Sequence, residues 1–180
     1  MMASTNARRG LVHIYTGNGK GKTTASIGLV CRASGAGMKC LFCQFLKGRD
    51  TSELEPLRAL GVDILRTEEV KKFIPQMDAF EKKECVQSHE VCYNKMKALA
   101  LSGIYDLVVL DEVIAAAGYG FVPLADLCGF LRERPAGLEV VLTGRNAPAE
   151  LLALADYVSE IQPVKHPFEA GIAARKGIEF

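Results

Sequence analysis

Three things are scarce or missing in this sequence: a surplus of charge of one sign, a long apolar run, and a segment that reads as a secretory signal. Lysine and arginine number 22 against 21 acidic residues, a formal net charge of +1. That balance supplies no field to draw in a nucleic-acid backbone or an acidic membrane surface, so neither is expected as a partner. Basic pairs such as Arg8–Arg9, Lys71–Lys72 and Lys82–Lys83 are local and read as solvated surface. No stretch approaches the roughly 20 apolar residues of a membrane-spanning helix. The opening MMASTNARRG has neither an apolar h-region nor a cleavage site and does not read as a secretory signal, so a cytoplasmic protein is expected. Structural disulfides are rare there, so the six cysteines are expected as thiols. Cys40 and Cys43 form a C-x-x-C, but inside KCLFCQF, which reads as a strand. A spacing of three puts them on opposite faces of that strand, and no second pair completes a metal site. Internal repeats and low-complexity segments are also absent.

What is present is an alternation. At 180 residues, with 49% hydrophobic and 24% charged residues, the chain fits one ordinary soluble domain that buries a real core. Short apolar runs at LVHIY (11–15), KCLFCQF (39–45), VDIL (62–65), DLVVL (106–110), LEVVLT (138–143) and YVSEI (157–161) are separated by helix-like segments. Near-continuous apolar runs suit strands buried on both faces, and their alternation with helices predicts a largely parallel α/β sheet. The clearest helix is 78–102. Asp78 and Glu81 have capping-box spacing, and Gly103 supplies the stop. Cys85, His89, Cys92, Met96 and Leu99 recur every three or four residues as one stripe facing the sheet. His89 on that stripe is read as a satisfied core histidine. The least patterned stretches are 46–52, 66–77 and everything from Pro163, all candidate binding loops.

The strongest functional signal is TGNGKGKTT, Thr16 to Thr24, after a predicted strand and at the start of a predicted helix. Gly17, Gly19 and Gly21 allow a tight turn that aims backbone N–H groups at phosphate oxygens, with Asn18 and Lys20 between them. Lys22 can reach between phosphates, Thr23 can ligate Mg²⁺, and the helix N-terminus adds a favourable dipole. Thr16 stands where the standard motif has glycine, but the GKT ending and the strand–helix context outweigh that departure. LVVLDE (107–112) has the form of a Walker B segment, an apolar strand ending in the metal-holding pair Asp111–Glu112. Together the two motifs indicate Mg²⁺-nucleotide binding. QFLKG (44–48), TGR (143–145) and VKHPF (164–168) also follow predicted strands, whose carboxyl ends line the ligand crevice of such a sheet. Lys47 and Arg145 are therefore candidates for holding the triphosphate, or else for charging a loop. His166 is read equally as a free imidazole near substrate or as a loop-packing residue.

TGNGKGKTT, QFLKG, VVLDE, LTGRNAP, ADYVSEI and VKHPFEAGIAARKGIEF, in this order, resemble the ATP:corrinoid adenosyltransferases of the cob(I)alamin/cob(I)yrinic acid a,c-diamide type. The resemblance runs from about Leu11 to Phe180, with residues 1–10 expected as a flexible N-terminal segment. It implies a single-domain RecA-like P-loop fold, a homodimer, Mg²⁺, ATP and a reduced corrinoid as substrates, and a transient flavoprotein or other reductant as partner. It also implies attack of Co(I) on C5′ of ATP with triphosphate leaving as a unit. Lys22 and Arg145 would then act on the leaving group. Residues 17–24 and Lys47 would bind the nucleotide, and Thr23 and Glu112 would ligate Mg²⁺ with Asp111 behind them. The resemblance further implies an aromatic, Trp-containing segment before the long helix, packed on the lower corrin face. This chain has no tryptophan; its corresponding stretch is RTEEVKKFIPQM (66–77), where Phe73 and Ile74 are the candidate corrin contacts. Two other readings use the same P-loop: an ATPase or small-molecule kinase, and a nucleotide-binding switch module. The first leaves the C-terminal signature unexplained, and the second has no positive sign in the sequence, neither an obvious exposed recognition helix nor a long interaction tail.

Overall fold

The structure is a computed structural model that describes residues 9–47, 51–67 and 76–180. Gly48, Lys71, Lys72, Phe73, Ile74 and most of the 1–10 segment lie outside the described residues. Six strands form one sheet: β1 (Val12–Thr16), β2 (Cys40–Gln44), β3 (Asp63–Arg66), β4 (Leu107–Asp111), β5 (Glu139–Thr143) and β6 (Tyr157–Glu160). Each coincides with one of the apolar runs. Their spatial order is β3-β2-β4-β5-β1-β6, and every pairing is parallel. Central strands β2 and β4 are buried at all five positions, as a parallel sheet covered on both faces requires.

Helices α1 (Lys22–Gly35), α2 (Leu54–Ala59), α3 (Ala79–Leu101), α4 (Val113–Gly118), α5 (Leu124–Glu133) and α6 (Ala149–Leu152) provide that cover. Val30 and Ala33 of α1 and Leu57 of α2 pack with Cys40, Phe42, Val109 and Val141 on one face. Cys92, Tyr93 and Met96 of α3 and Leu127, Phe130 and Leu131 of α5 pack with Leu41, Cys43, Val108 and Leu110 on the other. Cys40 and Cys43 thus do face opposite ways. All six cysteines are free thiols, with Cys43 Sγ 3.6 Å from Cys92 Sγ.

Helix α3 starts as its sequence predicts. The Asp78 carboxylate accepts from the N–H groups of Phe80 and Glu81, both at 2.9 Å, and Glu81 accepts from Asp78 N–H at 3.0 Å. Such a cap stabilises by about 1 kcal/mol. The chain leaves the helix through Gly103 at φ 77°, a conformation glycine adopts without a Cβ penalty. The buried stripe is Cys85, His89, Cys92, Tyr93, Met96 and Ala100. It differs from expectation at its end: Leu99 is only partly buried. The 3.6-residue turn carries the stripe from Met96 to Ala100, one position past Leu99.

His89 is fully buried and hydrogen-bonded at both nitrogens. Nε2 accepts the Leu46 N–H at 3.2 Å, so the proton sits on Nδ1, 2.7 Å from the Cys85 carbonyl. Burial pushes its pKa down and keeps the ring neutral. The core histidine therefore ties α3 to the loop after β2, at a residue held at positive φ (Leu46, 59°).

Candidate functional site

Five strands deliver polar groups to one end of the sheet, the carboxyl end where open parallel sheets bind ligands. Strand β1 runs into the glycine loop 17–21, which opens α1. Gly17 and Gly21 sit at φ 92° and 126°, values that strain any residue with a Cβ. At Gly17 and Gly19 an added Cβ would stand 2.5 and 2.8 Å from the Ile161 carbonyl oxygen. The loop is pressed onto the end of β6, and Gly19 N–H donates to that same carbonyl at 2.7 Å. Among the loop amides expected to face phosphate, the Gly19 N–H is bonded to β6 in this structure.

Lys22 points back into the loop, donating to the Gly17 and Gly19 carbonyls at 2.7 and 2.8 Å. Its side chain is buried, and that burial lowers its pKa against the pull of Glu112. Helix α1 has no side-chain cap, so its first N–H groups remain available to an anion at its N-terminus. Asn18, Lys20 and Thr24 are exposed around the rim. Lys20 is turned outward and pairs with Glu179 at 3.2 Å.

The second half of the site is built on Asp111, whose side chain has no solvent exposure. Its Oδ1 accepts from Thr23 and Thr143 hydroxyls, each at 2.8 Å. Its Oδ2 takes the Lys47 ammonium at 2.8 Å. Lys47 also lies 3.4 Å from Thr23 Oγ1 and 3.5 Å from Glu53, and Glu53 accepts from Gln44 at 2.9 Å. Burial opposes the charge on Lys47, but Asp111, Glu53 and Glu112 win and hold its pKa above the ordinary value. Lys47 thus sits among the carboxylates expected to hold the metal. It adjoins the position a triphosphate-bound cation would take, and does not reach outward from a loop.

Glu112 stands beside this cluster at φ 62°. Its N–H donates to Thr143 Oγ1 at 2.9 Å, so one hydroxyl fixes both acidic residues. Burial, then the neighbouring Asp111 charge, raises the Glu112 pKa, while Lys47, Lys22 and Arg145 pull it down. Two adjacent carboxylates and a threonine hydroxyl are hard oxygen donors. Mg²⁺ is typically held by one or two carboxylates together with substrate phosphates, not by an all-protein cage. Among the described residues no group of three or more His, Cys, Asp or Glu forms such a cage. Thr23, Asp111 and Glu112 therefore fit Mg²⁺ brought in on a nucleotide.

Arg145 is exposed, yet its charge is felt by both Lys22 and Glu112. Gly144 brings it there. At φ 149°, a Cβ on Gly144 would stand 2.7 Å from Ile114 Cβ and 2.9 Å from the Ala115 nitrogen, so β5 and α4 touch at this point. His166 accepts from the Phe168 N–H at 3.2 Å and caps the short 3₁₀ turn Pro167–Ala170. That bond belongs to loop packing, and a place near substrate, the other role expected for His166, stays open beside it. Phe73 and Ile74 fall outside the described residues. The sequence reading missed Thr143, Gln44 and Glu53 as site residues. Thr143 closes an apolar strand level with Asp111, a legible signal; Glu53 belongs to no motif.

A glycine loop clasping a buried lysine, facing a threonine–aspartate–glutamate corner at the carboxyl edge of a parallel sheet, defines a P-loop nucleotide-binding protein. Comparison with known proteins narrows the class. The family described as ATP:corrinoid adenosyltransferase BtuR/CobO/CobP matches residues 8–180, and the chain belongs to that family. It is 37% identical over 180 residues to the corrinoid adenosyltransferase of Escherichia coli K12, covering 99% of this chain and 90% of that protein. It is 35% identical over 182 residues to the corrinoid adenosyltransferase of a Sinorhizobium species, covering 100% and 85%. To the corrinoid adenosyltransferase CobA of Salmonella typhimurium it is 34% identical, covering 99% and 90%.

Proposed function

We propose that this chain transfers the 5′-deoxyadenosyl group of ATP to the Co(I) centre of a corrinoid, in adenosylcobalamin synthesis or salvage. The observation that carries the reading is the clasped P-loop lysine opposite the Asp111 corner, in a chain whose family is defined by ATP and corrinoid. Cobalt donates the electron pair that forms the Co–C5′ bond. The C5′–O bond breaks, its electrons leave on triphosphate, and cobalt rises formally from Co(I) to Co(III).

The protein's task is to hold C5′ in line with cobalt and to stabilise charge on the departing triphosphate. Lys22, the free loop amides, the α1 N-terminus and Arg145 serve the second need, and Lys47 holds Asp111 in place. Mg²⁺, held by Thr23 and Glu112 with Asp111 behind them, would neutralise phosphate charge. Because cobalt is the nucleophile, no side chain has to deprotonate a water. Phe73 and Ile74 are the corrin-facing residues in this reading, with Phe73 the wedge that displaces the lower axial ligand. A cytoplasmic homodimer served by a flavoprotein or other reductant completes the proposal.

Phosphorus NMR of the products tests it. Inorganic triphosphate is expected when ATP, Mg²⁺ and chemically reduced corrinoid are supplied. ADP with phosphate or a phosphorylated acceptor would replace the reading with an ATPase or kinase, and unchanged ATP under tight binding with a switch module.

A further inference from the structure

Residues 161–180 carry much of the motif content of the chain, yet they touch the phosphate loop described above only at Ile161 and Glu179. They leave β6 at Ile161, whose carbonyl accepts the Gly19 N–H at 2.7 Å. They run out over the surface, with residues 162–178 exposed except for a half-buried His166. They then return to the same phosphate loop, where Glu179 meets Lys20 at 3.2 Å. The excursion is fastened to neighbouring residues of one loop at both ends.

The returning end is preorganised. The Glu179 carboxylate accepts from the Arg175 backbone N–H at 2.7 Å and from its guanidinium at 3.2 and 3.3 Å. Gly177 N–H closes the turn on the Phe180 carbonyl at 2.7 Å. That carbonyl also accepts from Ser52 Oγ at 3.1 Å, one residue before Glu53, which reaches Lys47 and Gln44. A ring of contacts therefore surrounds the site: Lys20, Glu179, the 177–180 turn, Ser52–Glu53, Lys47, Asp111, Thr23 and back to the loop. Between the turn and α2 lies a cavity of ≈ 540 Å³ bordered by Ser52, Leu54, Arg58 and Lys176, so the two are joined by the Ser52–Phe180 bond across open space and not by a packed core.

We propose that residues 161–180 form a strap across the nucleotide site and that Glu179 is its positioning residue. By holding Lys20 outside the phosphate cradle, Glu179 leaves Lys22 alone inside it. The same strap draws the 51–53 segment, and with it Glu53 and Lys47, toward bound Mg²⁺-ATP. This rests on the reading that the site binds ATP, and its test uses nucleotide without corrinoid.

Affinity for Mg²⁺-ATP is measured by titration calorimetry, and amide exchange of residues 17–21 and 51–54 is followed in the complex. Since Lys20 and Glu179 are partly exposed, Glu179→Gln should weaken binding roughly two- to fivefold. It should also speed exchange at both segments while leaving the thermal midpoint unchanged. Arg175→Gln, which frees the carboxylate, should do the same, and Glu169→Gln, an exposed acid of the same excursion, should behave as wild type. In turnover assays the Glu179 variant should raise KM for ATP with little change in kcat. Wild-type affinity and exchange in Glu179→Gln would overturn the strap while leaving the nucleotide reading intact. Failure of the unmodified protein to bind Mg²⁺-ATP would overturn both.

Discussion

Replacing Lys47 with methionine should destabilise the protein by about 3 kcal/mol, and the loss should largely disappear when Asp111 is neutralised as well. The Asp111 side chain has no exposure, and its Oδ2 has the Lys47 ammonium at 2.8 Å. Removing one partner of a buried ion pair leaves an uncompensated charge, which costs about 3–5 kcal/mol. Lys47 keeps 24% side-chain exposure, so water can partly replace it and the lower end of the range applies. Methionine keeps the length and apolar stem, which confines the loss to the charge. For a chain of this size, about 3 kcal/mol lowers the thermal midpoint by roughly 6–12 °C. Urea denaturation of Lys47→Met, Asp111→Asn and the double variant closes a cycle whose coupling should be at least 1.5 kcal/mol. Added Mg²⁺ should restore part of the stability of Lys47→Met, because a cation on the same carboxylate replaces the ammonium. Additive single losses, or a Lys47→Met variant as stable as wild type, would refute the idea that Lys47 is the stabilising partner of Asp111.

Lys22→Ala should fold normally yet lose about 10²–10³ in turnover, as expected for one preorganised electrostatic group at the leaving triphosphate; near-normal kcat in a folded variant removes Lys22 from the chemistry. Glu112→Gln should raise the Mg²⁺ concentration for half-maximal activity more than Asp111→Asn, and a Mg²⁺ titration showing the opposite order would exchange their roles. His89 should make the fold acid-sensitive. Its folded pKa is lowered from 6.5 by burial, so the unfolded chain takes up a proton first. Stability is then flat above about pH 6.5 and falls as pH drops below that value toward the lowered folded pKa. Urea midpoints between pH 7.5 and 5 should show this slope in wild type and lose it in His89→Gln.

Every strand of the sheet was legible as an apolar run; for β2 and β4, buried at all five positions, the reason is that a doubly covered parallel strand needs apolar residues on both faces, whereas the edge strand β6 is exposed at all four positions. The P-loop and Asp111–Glu112 were legible because their chemistry is compressed into short contiguous segments. What escaped has the opposite character. Lys47 could be named but not placed, since its partners Asp111, Thr23 and Glu53 converge only when β2 and β4 pair. Gln44 opens the QFLKG motif but Glu53 belongs to none, and their bond depends on where α2 begins. The loss of the Gly19 amide to Ile161 follows from β6 pairing beside β1, a register that local sequence does not encode. His89 shows the converse: helical spacing placed it in the core, but its hold on the Leu46 backbone required the fold.

The distribution of thiols has a practical consequence. Five of the six cysteines are buried and Cys31 alone is exposed, on the helix that begins at the phosphate loop. Burial pushes the Cys43 and Cys85 thiols up, which suppresses the reactive thiolate. A maleimide dye should therefore attach once to the folded chain and six times to the unfolded one. The native sequence thus carries its own single-site fluorophore position, about two and a half helical turns from the ATP cradle, without any engineered cysteine.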